Sequence, residues 1–351
     1  MKTLYKILLT IILSTFSVYA FSQGNKEKIK ELINQGIALN DSGKYDLAVD
    51  KYKEAIKLDP NSMRAMYELS YTLAHSGKPK EAIPYLEKTA SADGYAEAYD
   101  LLASIYDDEK NFDMAVSYYK QGITAFPKFQ LLHFNLAISY LRQKKYADAE
   151  GFAIDAIKLN PTHPGSLRAY ALCAYYQNRG VKAILAFCSF IMREPQSKRA
   201  VEAYQYIQKI IQSKVGVKTD KDGKQSVNIY VSDDKALDED EKAMDLFLSM
   251  TAADPALEKN KDKQPVQIFT GQLESIFKIG GELLEKRKQK DFFWNFYVDY
   301  YYKLALSDNM EAFGRIVSMS AYPDENIKWI NEHVDKLKAL KDWMSATPRG
   351  F

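Results

Sequence analysis

Three segments of this chain end alike and at one interval: Ala125-Phe126-Pro127, Leu159-Asn160-Pro161 and Arg193-Glu194-Pro195 set their prolines 34 residues apart. Leu58-Asp59-Pro60 ends an earlier segment in the same way. A fixed period of this size constrains the fold more than any single motif. Each repeat is one supersecondary unit that cannot bury its apolar face alone, so neighbours stack into a continuous core. The 351 residues hold such a stack and a further region beside it.

Small and large residues recur at fixed places in five repeats. The first, 29–62, has Leu32, Gly36, Leu39, Ala48, Tyr52, Ala55 and Pro60, and the third, 96–129, has Tyr99, Leu102, Ala103, Tyr106, Ala115, Tyr119, Gly122 and Pro127. The fourth, 130–163, has His133, Leu136, Ala137, Tyr140, Ala149, Ala153, Ala156 and Pro161. The fifth, 164–197, has Leu167, Tyr170, Ala171, Ala174, Ala183, Phe187 and Pro195, with bulky Phe190 where a small residue is usual. The second, 63–95, keeps Met66, Leu69, Ser70, Leu73, Ala82 and Leu86, replaces proline by Gly94 and is one residue short, which predicts an early end to its second helix.

Gly36, Ser70, Ala103, Ala137 and Ala171 are small because a second helix crosses there at Ala48, Ala82, Ala115, Ala149 and Ala183. Gly43 and Gly77 fall where a positive φ ends the first helix, and Lys110, Lys144 and Asn178 take that place later. The pattern resembles the tetratricopeptide repeat (TPR). The resemblance implies an all-α fold: a right-handed α-solenoid of five helical hairpins, whose first helices line a concave face that holds an extended peptide or a helix.

Carried over position by position, the family's concave row falls on Ile33 and Ile37, Tyr67 and Tyr71, Asp100 and Ser104, Phe134 and Ile138, and Arg168 and Leu172. A further row adds Asn40, Asp107, Leu141 and Tyr175. One subset of the family clamps a terminal carboxylate with Lys, Asn and Arg; the corresponding places here are Ile33, Ile37, Glu68, Glu97 and Leu101. That clamp is absent, and Glu68 and Glu97 oppose an acidic tail. Tyrosine suits either a partner-binding groove or a groove filled by the chain's own C-terminal part.

Residues 1–22 have the pattern of a secretory signal. Lys2 and Lys6 precede an apolar stretch, Ile7 to Ser17, and Val18-Tyr19-Ala20 offers small residues for cleavage after Ala20 or Ser22. An uncleaved anchor is the alternative, but Thr10, Ser14, Thr15 and Ser17 interrupt the stretch. The expectation is a protein exported to a bacterial envelope, periplasmic or secreted, with no integral membrane span after signal removal. Lys plus Arg number 48 against 46 Asp plus Glu. That balance lacks the basic field of a nucleic-acid binder, so no nucleic-acid partner is expected.

Residues 198–213 read as a capping helix with Ala200, Val201, Tyr204, Ile207 and Ile211 on one face. The rest, 214–351, reads as a mainly helical domain with one β-hairpin near 215–231, where Val215, Val217, Val227, Ile229 and Val231 alternate with other residues. Asp220 and Asp222 hint at calcium, but Val231 stands where the twelfth ligand belongs, which favours a plain turn. Asp238, Glu239, Asp240 and Glu241 open a helix through Met244, Phe247 and Leu248, with a metal site as the sharper alternative. A Lys-rich loop near Lys259 to Lys263 precedes a helix from Pro265 to Arg287, expected to break or bend at Gly280-Gly281. The run from Phe292 to Tyr302 packs eight aromatics into eleven positions. One helical face accommodates most of them, leaving Phe292, Trp294 and Tyr302 as a possible aromatic patch toward the array, another chain or a ligand. Pro323 opens a last helix through Ile327, Ile330, Val334, Leu337 and Leu340 to Trp343.

None of the four histidines lies in a metal or nucleophile motif, and His133 sits at a packing position. Cys173 and Cys188 on the fifth hairpin are about a turn out of register, which favours two buried thiols. These residues point to no enzyme, no cofactor and no metal. The expected function is an exported scaffold or adaptor with a protein or peptide partner in the concave groove. The rival is a repeat dock carrying a C-terminal carbohydrate-binding or hydrolytic module.

Overall fold

A computed structural model describes residues 24–91, 95–219, 225–231, 237–256 and 260–351. The signal segment, the Asp220–Gly223 turn and Lys259 lie outside them. The described residues are all-α apart from one hairpin, and the chain forms two compact units that divide between Ser139 and Tyr140.

The first unit consists of α1 (24–41), α2 (Tyr45–Leu58), α3 (Met63–His75), α4 (Pro79–Ala90), α5 (Ala96–Asp108), α6 (Phe112–Ala125) and most of α7 (Gln130–Arg142). Consecutive helices pack as hairpins, α3 on α4 and α5 on α6. The crossing alanines Ala48, Ala82 and Ala115 are buried, and a methyl on Gly36 would come within 2.5 Å of the Tyr52 ring. Close helix approach is thus what the small residues serve. The first helices end on positive φ at Gly43 (72°), Gly77 (81°) and Lys110 (62°). Helix α4 has 12 residues against 14 in α2 and α6, the early end expected of the short second repeat.

The second unit begins with α8 (Tyr146–Leu159), α9 (Pro164–Tyr176), α10 (Gly180–Ile191) and α11 (Lys198–Gln212). Lys144 and Asn178 carry positive φ, 60° and 58°. The Ser197 hydroxyl caps α11 by accepting the Ala200 N–H at 3.0 Å. Strands β1 (Val215–Thr219) and β2 (Gln225–Ile229) pair antiparallel, Val215 opposite Ile229 and Val217 opposite Val227. Then follow α12 (Glu239–Ala252), α13 (Pro265–Lys286), a helix over 292–305 that ends as α14 (Asp299–Ala305), α15 (Met310–Val317), α16 (Pro323–Glu332) and α17 (Val334–Ala346).

Helix α10 is buried from Val181 to Ile191: Ala183–Cys188 is wholly apolar and must be covered, while Lys182 and Ser189 are buried with polar partners, Glu241 and Tyr301. Bulky Phe190 is accommodated because later helices cover α10: α12 and α15 pack on it, and Tyr301 meets Ser189 with hydroxyl oxygens 2.7 Å apart. Residues on both sides of 213/214, where a domain boundary was expected, therefore share one compact unit.

Three expectations change. Helix α13 runs unbroken through Gly280 and Gly281, whose missing side chains make room for Met244 and Tyr302. The segment Trp294–Val298 is π-helical, and its wider turn shifts the register so that Trp294 is 0% exposed instead of lying off the buried face. The last helix is two: His333 leaves helical geometry (φ −132°, ψ 48°), and its ring stacks on Trp329 at 4.5 Å.

Candidate functional site

In the first unit the first helices α1, α3, α5 and α7 present the concave-row residues. Ile33 is 4% exposed and belongs to the core with Leu32, Val49 and Tyr52, so it is removed from the binding row. Asp107 is 5% exposed and accepts a short hydrogen bond from Ser139, which makes it an interior strut between α5 and α7. Asn40 does similar work, its Oδ1 accepting from the Thr72 hydroxyl at 3.0 Å. Asn135 donates to Asp100 at 2.7 Å, and Ser104 pairs with the Tyr119 hydroxyl at 2.9 Å. Hydrogen bonds between successive first helices thus hold this face in register.

Ile37, Tyr67, Phe134 and Ile138 are half-buried, and Tyr71 is 37% exposed. The Tyr71 ring lies 4.0 Å from that of His75, whose Nδ1 donates to the Tyr71 carbonyl at 2.9 Å. Beside this pair a cleft of about 460 Å³ opens, lined by Ala74, His75, Leu101, Ser104 and Ile105 among others. Leu101 and His75 line this cleft without belonging to the family's concave row; in the sequence pattern Leu101 only stands at one place of the absent carboxylate clamp.

Acidic groups surround Tyr67. Burial, with Glu97, Glu68 and Asp100 nearby, pushes its phenol up to about 12. Burial also pushes the Asp100 carboxyl up to about 6, against the lowering effect of the Asn135 hydrogen bond and with a contribution from Glu97. Glu68 is raised for the same first reason, with Arg64 opposing. The face is aromatic at Tyr71 and acidic around Tyr67.

In the second unit Leu141 and Leu172 are half-buried, and Arg168 is ion-paired with Glu202 of α11 at 2.5 Å. Tyr175 packs at 4.5 Å against Tyr206 of α11. Arg168 and Tyr175 thus face the capping helix. Tyr175 also lines a cleft of about 520 Å³ with Tyr176, Lys209, Lys214 and Tyr230.

The expected aromatic patch is structural. Trp294 lies under the Arg287 guanidinium, 4.5 Å from the ring centre. Tyr302 covers Gly281 and donates to Glu285 at 3.2 Å. Phe292 is the seam residue, edge-on to Tyr170 of α9 at 5.7 Å. The acidic run is spent on structure too: Asp238 caps α12 by accepting the Glu241 N–H at 2.9 Å, Arg287 pairs with Asp238 and Asp240, and Lys182 pairs with Glu241 at 2.5 Å. His133 is buried, its Nε2 3.0 Å from the Pro127 carbonyl. Cys173 and Cys188 are buried free thiols, their pKa values pushed up by burial.

Family models described as tetratricopeptide repeat match residues 33–97 and 96–129, whereas the C-terminal region has no family match. The chain is 29% identical over 132 residues to protein O-mannosyl-transferase TMTC1 of Homo sapiens, covering 36% of this chain and 15% of that protein. It is 26% identical over 194 residues to protein O-mannosyl-transferase Tmtc3 of Drosophila melanogaster, covering 53% and 20%. It therefore spans a fifth or less of these curated relatives. Among solved structures, pilF of Pseudomonas aeruginosa aligns with TM-score 0.47 at 20% identity over 54% of this chain and 91% of that one. YrrB, described as a TPR protein with an unusual peptide-binding site, aligns with TM-score 0.42 at 18% identity over 52% and 95%.

Proposed function

We propose that this tetratricopeptide-repeat protein is a scaffold that holds a peptide segment of a partner protein on the concave face of its first unit, between Tyr71 and Phe134. The observation that carries this reading is the pairing of Tyr71 and His75 at the rim of the cleft between α3 and α5. A partly exposed aromatic ring beside an open cleft on a rigid helical frame is a usual protein-binding element. Glu68, Glu97 and Asp100 disfavour acidic segments at that place. Export to a bacterial envelope is part of the proposal and rests on Lys2, Lys6 and the apolar stretch after them.

The transferase activity in the names of the curated relatives is not carried over, because the match covers so little of their length. The rival module at the C-terminal end loses both features that motivated it, since Trp294 is buried and the acids near Asp238 are paired. The test is a pull-down from an envelope extract with the mature chain and with Tyr71→Ala/Phe134→Ala. The proposal expects a specific partner with the parent chain and its loss with the double variant; equal recovery by both refutes it.

A further inference from the structure

Residues 347–351 lie against an aromatic surface of the helix over 292–305. The guanidinium of Arg349 lies 4.0 Å from the centre of the Tyr300 ring and 4.8 Å from that of Phe296, with Tyr301 and Tyr297 at 5.3 and 5.5 Å. Its Nη1 donates to the Phe296 carbonyl at 3.5 Å, and among the described residues no carboxylate pairs with it. Two residues on, the Phe351 ring stacks on Phe296 at 5.5 Å and on Phe292 at 6.4 Å, yet Phe351 stays 54% exposed. Residues 347–351 form neither helix nor strand, so side chains hold this segment and backbone pairing does not.

Each feature has a chemical reason. A planar, weakly hydrated guanidinium stacks over several ring faces, and an ammonium on a flexible stem does so less well. Because no carboxylate is involved, recognition depends on shape and quadrupole and hardly on salt. A segment held by two side chains opens locally without unfolding the domain beneath it.

We propose that the aromatic surface around Phe296 and Tyr300 is a binding site for an arginine–x–aromatic peptide segment, with Arg349-Gly350-Phe351 as its displaceable resident. The resident is tethered at an effective concentration on the order of millimolar. A partner segment therefore competes well only when that partner is held elsewhere on the chain at the same time. The site thus reports double engagement, and it stands or falls independently of the concave face of the first unit.

The probe is a fluorescein-labelled hexapeptide with the sequence of residues 346–351, titrated by anisotropy onto the full chain and onto Arg349→Ala. The expected result is at least tenfold tighter binding to the variant, a similar loss when the peptide's arginine becomes citrulline, and no binding to Arg349→Ala carrying Tyr300→Leu. The parent chain supplies a second readout: trypsin under native conditions should cut after Arg349 while α9 and α10 stay intact, read by intact mass. Should Arg349→Ala not fold, that cut decides alone. Equal peptide binding to parent and folded variant, indifference to citrulline, or protection of the Arg349–Gly350 bond until global unfolding each overturns the proposal and leaves the segment a packing strut.

Discussion

Gly281 and Tyr302 share one volume: a methyl group on Gly281 of α13 would fall inside the Tyr302 ring that closes over it. Two consecutive glycines in a 22-residue helix are therefore a close-packing device and make no hinge. Gly281→Ala gains about 1 kcal/mol of helix propensity, but overpacking a filled site costs about 1–3 kcal/mol and this ring overlap lies at the severe end. The substitution should lower the urea midpoint, and in a Tyr302→Ala background the same change should raise it. A stabilising effect in the parent chain would show that the ring does not occupy this position.

The turn residues make a paired prediction. Lys110 holds φ at 62° and Gly77 at 81° in equivalent turns. A side chain in the left-handed region costs about 1–2 kcal/mol, whereas glycine costs about 0.5–1 kcal/mol of chain entropy. Gly77→Ala should destabilise by about 1 kcal/mol, and Lys110→Gly should be neutral or stabilising by up to about 1 kcal/mol. Chemical denaturation of the two variants checks the contrast; a loss above about 1 kcal/mol for Lys110→Gly would remove the shared turn geometry.

That turn was legible because its cause is local: repeat period, small crossing residues and turn position all follow from packing that each hairpin repeats. What faces a groove is not local. Ile33 and Asp107 hold concave-row positions yet are interior, because neighbouring helices close over them. The burial of Trp294 depends on a π-helical turn, which has no sequence signature. His333 ends a helix without glycine or proline, its ring stacked on Trp329. The apolar stretch Ala183–Cys188 of α10 did contain a signal, since more than a turn of helix with no polar residue must be covered on every side.

Asp100 predicts a pH dependence with a definite sign. Its carboxyl is pushed up to about 6, chiefly by burial and further by Glu97, while an unfolded aspartate titrates near 4. The folded chain thus holds this proton more tightly than the unfolded one, so this site favours folding most at low pH. Its contribution should decline as pH rises from about 4 to about 6 and stay level above. Asp100→Asn removes the dependence. The stability of the variant relative to the parent should therefore grow across that window and then plateau, measured by urea midpoints at half-unit steps. A constant difference from pH 4 to 7 would contradict the assignment.

Arg287 ties three groups together: it pairs with Asp238 at 2.5 Å, with Asp240, and covers the Trp294 ring at 4.5 Å. Arg287→Met keeps much of the stem and drops the charge. Partly exposed pairs contribute modestly, so the expected cost is about 1–2 kcal/mol, with a changed Trp294 emission. Adding Asp238→Asn and Asp240→Asn should recover part of it; no recovery would mean that the stacking on Trp294 carries the whole effect.

The central claim is that the face around Tyr71 receives a partner's peptide segment. A photo-crosslinking amino acid at position 71 tests it most directly, with the same group at Leu47, an exposed position on α2, as control. Crosslinks made in the cell and read by mass spectrometry should join position 71 to one recurrent segment, neutral or basic in charge, of another protein. That segment should be absent at position 47 and lost when Phe134→Ala is added. Crosslinks from position 71 that reach only this chain's own residues, or that match those from position 47, would contradict the account.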